Sequence, residues 1–262
     1  MTRPPRILVI AGSDSSGGAG IQADIKTITA LGGYAMTAIT AVTAQNTLGV
    51  QAVERLPAEF VLAQIDSCLS DIGADAVKIG MLGSPEIARG VANALEGFDG
   101  PIVFDPVMVA TSGSVLADGE TIAAFRHLME RAALVTPNLP ELEVLGGGPL
   151  DGEEAIAAAA ARLAARHGCA VLAKGGHAEG DTVLDLLAAA DGEVVRFEGD
   201  RVDTRHTHGT GCTLASAIAI HLARGENLAE AIGKARRFVH AALRHAPGFG
   251  KGSGPLGHQP AG

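Results

Sequence analysis

The sequence has no tryptophan, one tyrosine and three cysteines. With so few aromatic rings, we do not expect stacking on bases or sugars to dominate ligand binding. Cys68, Cys169 and Cys212 lack the spacing of metal sites or disulfides, which predicts free thiols in a reducing cytoplasm. No apolar run reaches the roughly 18 residues of a membrane span. The formal net charge of −9 argues against nucleic-acid binding.

The familiar nucleotide-binding loops are also missing. No G-x-x-x-x-G-K-[ST] sequence is present, which excludes a P-loop enzyme. Gly18 to Ala23 fits the loose dinucleotide pattern G-x-G-x-x-A, but the next predicted strand ends at Gln45 with no acid to hold a ribose. The glycines then form either a plain turn or a small-molecule pocket near Gly12. Asp24 either serves this pocket or complements the helix dipole.

Short apolar runs alternate with helical patterns along most of the chain. Such alternation, with strands apolar throughout, predicts a doubly wound α/β domain with a mainly parallel sheet. The predicted strands are 6–12, 76–80, 101–107, 134–138 and 170–176, and the predicted helices are about 20–31, 58–72, 84–96, 119–132, 152–167, 210–224 and 227–245.

Three segments depart from this alternation. Residues 34–57 alternate like exposed β-structure, and residues 181–203 resemble a hairpin that turns at Asp191–Gly192. The tail from about 248 to 262 is rich in glycine and proline, and we expect it to be mobile. No repeat or linker divides the chain, so we expect residues 1–262 to form a single domain.

Polar residues end several predicted strands. Asp105, Asn138 and Lys174 stand at strand ends, and Glu141 follows Asn138 at N-x-x-E spacing. Taken singly, each has a structural explanation: a turn before proline, a helix cap or a surface lysine. The carboxyl ends of parallel strands share one edge of the sheet, where ligands bind. Together these residues therefore favour a site for Mg²⁺ and a polyphosphate.

The stretch HTHGTGCT (206–213) combines a glycine turn with a cysteine at the start of an apolar helix. Unpaired N–H groups there can bind phosphate, and the helix dipole is expected to lower the pKa of the Cys212 thiol. Three interpretations are open for Cys212. It is a general base, a covalent nucleophile paired with a histidine, or a small side chain that only packs.

Seven collinear segments resemble the hydroxymethylpyrimidine/phosphomethylpyrimidine kinases of the ribokinase-like superfamily. They are IAGSDSSGGAGIQADIKT, TAVTAQNT, AVKIGMLGS, FDPVMVATSGS, VTPNLPELEVL, KGGH and HTHGTGCTLASAIA, and the resemblance spans about residues 6–250. It implies a three-layer α/β/α fold with a small β-flap. It further implies ATP-dependent phosphorylation of 4-amino-5-hydroxymethyl-2-methylpyrimidine, and then of its monophosphate, in thiamine biosynthesis. It also implies a homodimer formed through residues 34–57.

The resemblance assigns roles to the candidate residues. The pyrimidine pocket would comprise Gly12, Asp24, Gln45, Met81 and Val107. The amide of Gln45 can match an aminopyrimidine edge with one donor and one acceptor. The implied phosphate side comprises Gly209, Thr210, Gly211, Cys212 and Lys174, with Asn138 at the ATP phosphates and Asp105 and Glu141 organising Mg²⁺. Cys212 would be the base that activates the substrate hydroxyl.

Two alternatives stay open beside this assignment. Related pyridoxal kinases of the dual-cysteine type carry a second cysteine after DPVMV, where this chain has Ala110. Ala110 therefore favours the pyrimidine kinase. A vitamin-binding regulator without ATP turnover is the other alternative. Residues 110–120 are the expected lid over the site.

Overall fold

The structure is a computed structural model that describes residues 3–110, 113–177 and 180–259. In these residues, nine strands form one sheet. They are β1 (Arg6–Asp14), β2 (Tyr34–Asn46), β3 (Gly49–Arg55), β4 (Ala76–Ile79), β5 (Ile102–Phe104), β6 (Leu134–Val135), β7 (Ala170–Ala173), β8 (Thr182–Ala188) and β9 (Val194–Asp200). Their order is β3-β2-β1-β4-β5-β6-β7-β8-β9. The pairs from β2 to β7 are parallel, and the three outer pairs are antiparallel.

Eight α-helices lie within the same described residues. They are α1 (Gly20–Ala30), α2 (Ala58–Asp71), α3 (Pro85–Ala94), α4 (Gly119–Met129), α5 (Leu139–Gly146), α6 (Gly152–His167), α7 (Thr210–Ala223) and α8 (Leu228–Arg244). Apolar residues of α2 to α6 pack in one core, and those of α1, α7 and α8 pack in a second core on the other face. The central strands are buried on both faces, which explains their apolar runs. This arrangement confirms the expected α/β class with helices on both sides of a mainly parallel sheet.

The alternating pattern of residues 34–57 predicted exposed β-structure, but part of this segment is buried in the sheet. Its first strand, β2, pairs with β1 from Tyr34 to Thr43 and is an internal strand of the sheet. The second half of β2 also pairs with β3 as an antiparallel hairpin, from Ala41 opposite Arg55 to Asn46 opposite Gly49. The predicted hairpin near 181–203 is present as β8 and β9, and Gly192 in its turn has a φ of +93°.

The C-terminal tail differs from the expected mobile segment. Leu256 is buried, and the N–H of Gly257 donates to the carbonyl of Ala242 at 2.9 Å. A β-carbon at Gly257 would collide with the carbonyl of His245. The tail glycines therefore allow close backbone packing. Residues 260–262 lie outside the described residues. No helix in the described ranges is long and apolar enough to span a bilayer.

Candidate active site

A cavity of about 1130 Å³ opens at the carboxyl ends of the parallel strands. Nearly all the candidate residues line it, although they come from distant parts of the chain. They are Gly12, Gln45, Met81, Asp105, Val107, Asn138, Glu141, Lys174, Gly209, Thr210, Gly211 and Cys212. This is the edge where an open α/β sheet presents its ligand site.

The phosphate-binding candidate is the turn that begins α7. Gly209 is the N-cap with a φ of +87°, and a β-carbon there would collide with the carbonyl of Gly18. Thr210 closes the turn, because its hydroxyl donates to the carbonyl of Thr207 at 2.7 Å. No residue that the structure describes accepts a hydrogen bond from the N–H groups of Gly211 and Cys212. Both groups are therefore available to an anion at the positive end of the helix dipole.

An ion pair stands beside this turn. Nζ of Lys174 lies 2.7 Å from Oδ1 of Asp105, which also accepts a hydrogen bond from the hydroxyl of Thr136 at 2.9 Å. A β-carbon built on Gly211 would lie 3.2 Å from Nζ of Lys174 and 3.3 Å from Oδ2 of Asp105. The glycine thus lets the backbone of the turn approach a cation and a carboxylate at the same point.

Asn138 and Glu141 form the N-terminus of α5. The Asn138 side chain accepts from the N–H of Glu141, and the Glu141 carboxylate accepts from the N–H of Asn138, both at 2.9 Å. They are therefore a capping box as well as cavity residues. Burial raises the pKa of Glu141 to about 7, although Lys174 opposes this effect. No cluster of three metal-ligating side chains occurs among the described residues.

The surroundings of Cys212 overturn one expectation. Burial raises the pKa of its thiol to about 11, whereas we expected the helix dipole to lower it. Removing the sulphur from water disfavours its charged form, which raises the pKa of the thiol. The Lys78 ammonium and a hydrogen bond from the N–H of Gly20 act in the opposite direction and favour the thiolate.

Asp24 does not line the cavity, in contrast to its expected place in the pyrimidine pocket. It is fully buried, and its Oδ1 lies 2.9 Å from Nζ of Lys78 and accepts from the Ser216 hydroxyl at 2.7 Å. Both partners are inside the protein, so the carboxylate faces them and not a ligand. Lys78 was predicted only as part of an apolar strand, but it lines the cavity.

Hydrogen bonds support the end of the cavity where the pyrimidine candidates Gln45 and Met81 lie. The Gln45 amide accepts from the hydroxyl of Thr43 at 3.1 Å. The hydroxyl of Thr40 donates to the Met81 carbonyl at 2.7 Å and fixes that loop. A β-carbon at Gly12 would lie 2.9 Å from the Met81 sulphur. Glycine at this position therefore gives the Met81 side chain room to pack against the backbone of β1.

Sequence reasoning missed the pair formed by Asp14 and His208. Nε2 of His208 lies 2.9 Å from Oδ2 of Asp14 and 3.3 Å from Nε2 of Gln45, and both residues of the pair are buried. Asp14 also accepts from the N–H groups of Gly18 and Ala19. The pair joins the glycine turn after β1 to the turn before α7. The histidines in HTHG were the available signal.

The far end of the cavity was also missed. It runs between β9, the segment after β9 and the exposed side of α8, and its lining there includes Phe197, Val202, Arg236, Val239, His240 and Leu243. Arg236 is fixed at this end, because its Nε lies 2.9 Å from Oδ2 of Asp185. These positions carry no compact sequence motif, since they come from three separate segments.

The expected lid borders the cavity, whose lining includes Val109, Ala110 and Gly113. Val109 and Val115 form a bridge, and the N–H of Ala110 donates to the carbonyl of Ser114 at 2.8 Å. Both valines are exposed. Residues 111 and 112 of the expected lid lie outside the described residues.

Comparisons with known proteins identify the family of this chain. Residues 14–257 match the family described as phosphomethylpyrimidine kinase. A hydroxymethylpyrimidine/phosphomethylpyrimidine kinase of Rhizobium meliloti is 48% identical over 255 residues, which cover 96% of this chain and 96% of that protein. A thiamine biosynthesis bifunctional protein of Geobacter sulfurreducens is 46% identical over 96% of this chain, which spans 52% of that protein.

Two solved structures show the same fold. The pyridoxal kinase of Staphylococcus aureus in complex with AMP-PCP and pyridoxal has a TM-score of 0.89 and 34% identity, over 98% of this chain and 94% of that one. A phosphomethylpyrimidine kinase of Clostridium difficile has a TM-score of 0.79 and 38% identity, over 91% of this chain and 99% of that one. These likenesses confirm the expected ribokinase-like fold. The chain therefore belongs to the phosphomethylpyrimidine kinase family.

Proposed function

We propose that this kinase transfers the γ-phosphoryl group of ATP to the hydroxymethyl group of 4-amino-5-hydroxymethyl-2-methylpyrimidine, and then to the resulting monophosphate, in thiamine biosynthesis. The observation that carries the proposal is that one cavity joins Gln45 and Met81 to the turn at Gly209–Cys212. The names of the relatives from Rhizobium meliloti and Geobacter sulfurreducens support the substrate and the pathway.

Gln45 would recognise the pyrimidine, since its amide can donate one hydrogen bond and accept another at the aminopyrimidine edge. Met81 and Val107 are cavity residues with apolar side chains suited to the faces of the ring. Asp24 has no direct part in this recognition, because its carboxylate is used by Lys78 and Ser216.

In the proposed first step, the hydroxymethyl oxygen bonds to the γ-phosphorus as the bond from phosphorus to the bridging oxygen breaks, and ADP leaves. The hydroxyl proton passes to the sulphur of Cys212, which acts in its thiolate form. With a thiol pKa of about 11, that form is a small fraction near neutral pH. The N–H groups of Gly211 and Cys212, together with Lys174, would stabilise the charge on the transferred group.

The site also fits a magnesium ion. Mg²⁺ is usually held by one or two carboxylates together with substrate phosphates and water, so a cluster of three protein ligands is not needed. Asp105 and Glu141 would supply these carboxylates, and Oδ2 of Asp105 lies beside the phosphate-binding turn. The ion would neutralise phosphate charge. Asn138 and Thr210 would lie near the ATP phosphates.

The far end of the cavity is the place we propose for the adenosine of ATP. Phe197, Val239 and Leu243 give this end apolar side chains, and Arg236 adds a fixed cation. The Staphylococcus aureus structure, which contains an ATP analogue, supports a nucleotide site in this fold. Closure of the segment 110–120 would exclude water from the reacting groups.

We also propose a homodimer in the cytoplasm. The hairpin of β2 and β3 exposes Val42, Leu48 and Val53, which gives a partner an apolar surface. Three free cysteines fit a reducing compartment.

Pyridoxal is the second candidate substrate, because the pyridoxal kinase structure superposes with the higher TM-score of the two. The test is to mix purified protein with Mg-ATP and the hydroxymethylpyrimidine, with pyridoxal in a parallel reaction, and to follow products by mass spectrometry. Monophosphate that converts to diphosphate supports the proposal. Phosphate on pyridoxal alone contradicts it, and so does folded protein that forms neither product.

A further inference from the structure

Lys78 carries a charge on a fully buried side chain. It lies on the central strand β4, and its side chain is 0% exposed. Its Nζ is 2.9 Å from Oδ1 and 3.0 Å from Oδ2 of Asp24 on α1. Burying such a pair is costly, and an apolar pair of similar size is often at least as stable. The need for a stable core therefore does not explain Lys78.

The Lys78–Asp24 pair is hydrogen-bonded to helix α7. Ser216, which donates to Asp24 at 2.7 Å, stands four residues after Cys212 and therefore on the same side of the helix. The backbone N–H of Gly20, on the same helix as Asp24, favours the thiolate of Cys212. Lys78 and Cys212 both line the cavity. The Lys78–Asp24 pair thus lies at the back of the site, on the side of α7 that carries Cys212.

The charges around Cys212 come from four segments. Lys78 on β4 and Lys174 after β7 are the cations, and Asp24 on α1 and Asp105 after β5 are the anions. Lys174 pairs with Asp105, and Lys78 pairs with Asp24. Of these groups, Lys78 has the largest effect on the thiol, and it favours the thiolate. Asp24 and Asp105 have smaller effects and oppose it.

We propose that Lys78 is a positioning residue for phosphoryl transfer, whose buried ammonium, fixed by Asp24, stabilises negative charge on the sulphur of Cys212. Its effect on the thiol does not depend on the substrate. Its effect on turnover rests on the proposed function, in which Cys212 takes the hydroxyl proton.

The test measures the alkylation rate of Cys212 by iodoacetamide from pH 7 to 11. Cys68 is replaced by alanine, and the labelled peptide is identified by mass spectrometry. Only the thiolate reacts, so the rate at a fixed pH follows the thiolate fraction. Lys78→Gln keeps a donor for Asp24 but removes the charge. We expect alkylation at neutral pH to slow about tenfold, with the profile shifted about one pH unit upward.

A matched control separates this effect from a general loss of stability. Arg6 pairs with Asp75 at 2.6 Å, away from the cavity, and Arg6→Gln should leave the alkylation profile unchanged. The double variant Lys78→Gln/Asp24→Asn guards against misfolding, since it leaves two neutral amides able to bond to each other. The double variant should also slow alkylation, because Lys78 has a larger effect on the thiol than Asp24 has.

Each outcome decides the proposal. Slower alkylation in folded Lys78 variants, with kcat reduced and the KM for the pyrimidine unchanged, supports it. An unchanged alkylation profile in either folded Lys78 variant overturns it, whatever happens to turnover. If the parent protein has no kinase activity, the proposed function fails, and the alkylation profile still decides the effect of Lys78 on Cys212.

Discussion

The Nζ atom of Lys174 lies 2.7 Å from Oδ1 of Asp105, directly beside the backbone of Gly211. This contact brings the end of one strand, the end of another and the start of α7 to a single point. A phosphate bound there meets a cation, a carboxylate that can share a magnesium ion, and free N–H groups.

Loss of the Lys174 ammonium should weaken catalysis strongly. Lys174→Met removes the cation and leaves Asp105 buried without its partner. We expect kcat to fall about 10²–10³-fold, as when one group that stabilises a transition-state charge is removed. The control is Lys234→Met, which breaks a partly exposed pair with Glu226, and neither residue lines the cavity. Steady-state assays with Mg-ATP measure both variants, and equal losses would contradict the assignment.

Cys212→Ala should affect the two phosphorylations differently. The first step must remove a hydroxyl proton, so we expect at least about 10²-fold loss of turnover. The second nucleophile is a phosphate oxygen with a pKa near 6, which is already ionised and needs no base. Its rate should fall much less. Separate assays with the alcohol and the monophosphate test this, and near-normal turnover on the alcohol would reject the base role.

The rate of the first step should also depend on pH through Cys212. Burial raises the thiol pKa to about 11, so the thiolate fraction grows as the pH rises toward that value. We expect kcat for the alcohol to rise across the alkaline range, and this rise to disappear in Cys212→Ala. The measurement is a pH–rate profile of the two proteins. A flat profile in the parent would count against a rate-limiting thiolate.

Two glycines with similar dihedral angles allow a clean comparison. Gly209 and Gly225, at the two ends of α7, have φ values of +87° and +81°. Alanine costs about 1–2 kcal/mol in this conformation at either position. At Gly209 the new carbon would also collide with Gly18, whereas nothing lies within 4 Å at Gly225. Urea unfolding and kinase assays should therefore show a larger loss for Gly209→Ala, and equal losses would contradict this.

Asp14 should make stability depend on acid pH. Burial raises its pKa, but hydrogen bonds from His208, Ser16 and Ala19 outweigh this and lower it to about 2. A lowered pKa in the folded state gives stability above pH 4 that is lost as the pH falls toward 2, about 2 kcal/mol in all. Urea unfolding between pH 6 and 2 should show this loss in the parent and in the exposed-site control Asp66→Asn, but not in Asp14→Asn. Parallel curves for all three proteins would refute it.

The sequence predicted local features better than the contacts between them. Apolar runs and capping residues located the strands and most helices, because these depend on neighbouring residues. Helix α5 spans only Leu139–Gly146, which is too short for a clear helical pattern, and only the capping residues of its first turn indicated it. Nothing local placed Lys78 against Asp24, which is 54 residues away. The pKa of Cys212 was predicted in the wrong direction, because burial depends on the whole fold.

One competition experiment tests the central claim most directly. Equal concentrations of the hydroxymethylpyrimidine and pyridoxal are offered with Mg-ATP to the parent protein, to Gln45→Ala and to the control Gln51→Ala on exposed β3. If the Gln45 amide selects the ring, the parent and Gln51→Ala form mainly pyrimidine phosphates. Gln45→Ala then loses about 10–100-fold of that preference, the value of a paired amide contact. Pyridoxal phosphate as the main product of the parent, or an unchanged preference in Gln45→Ala, would contradict the account.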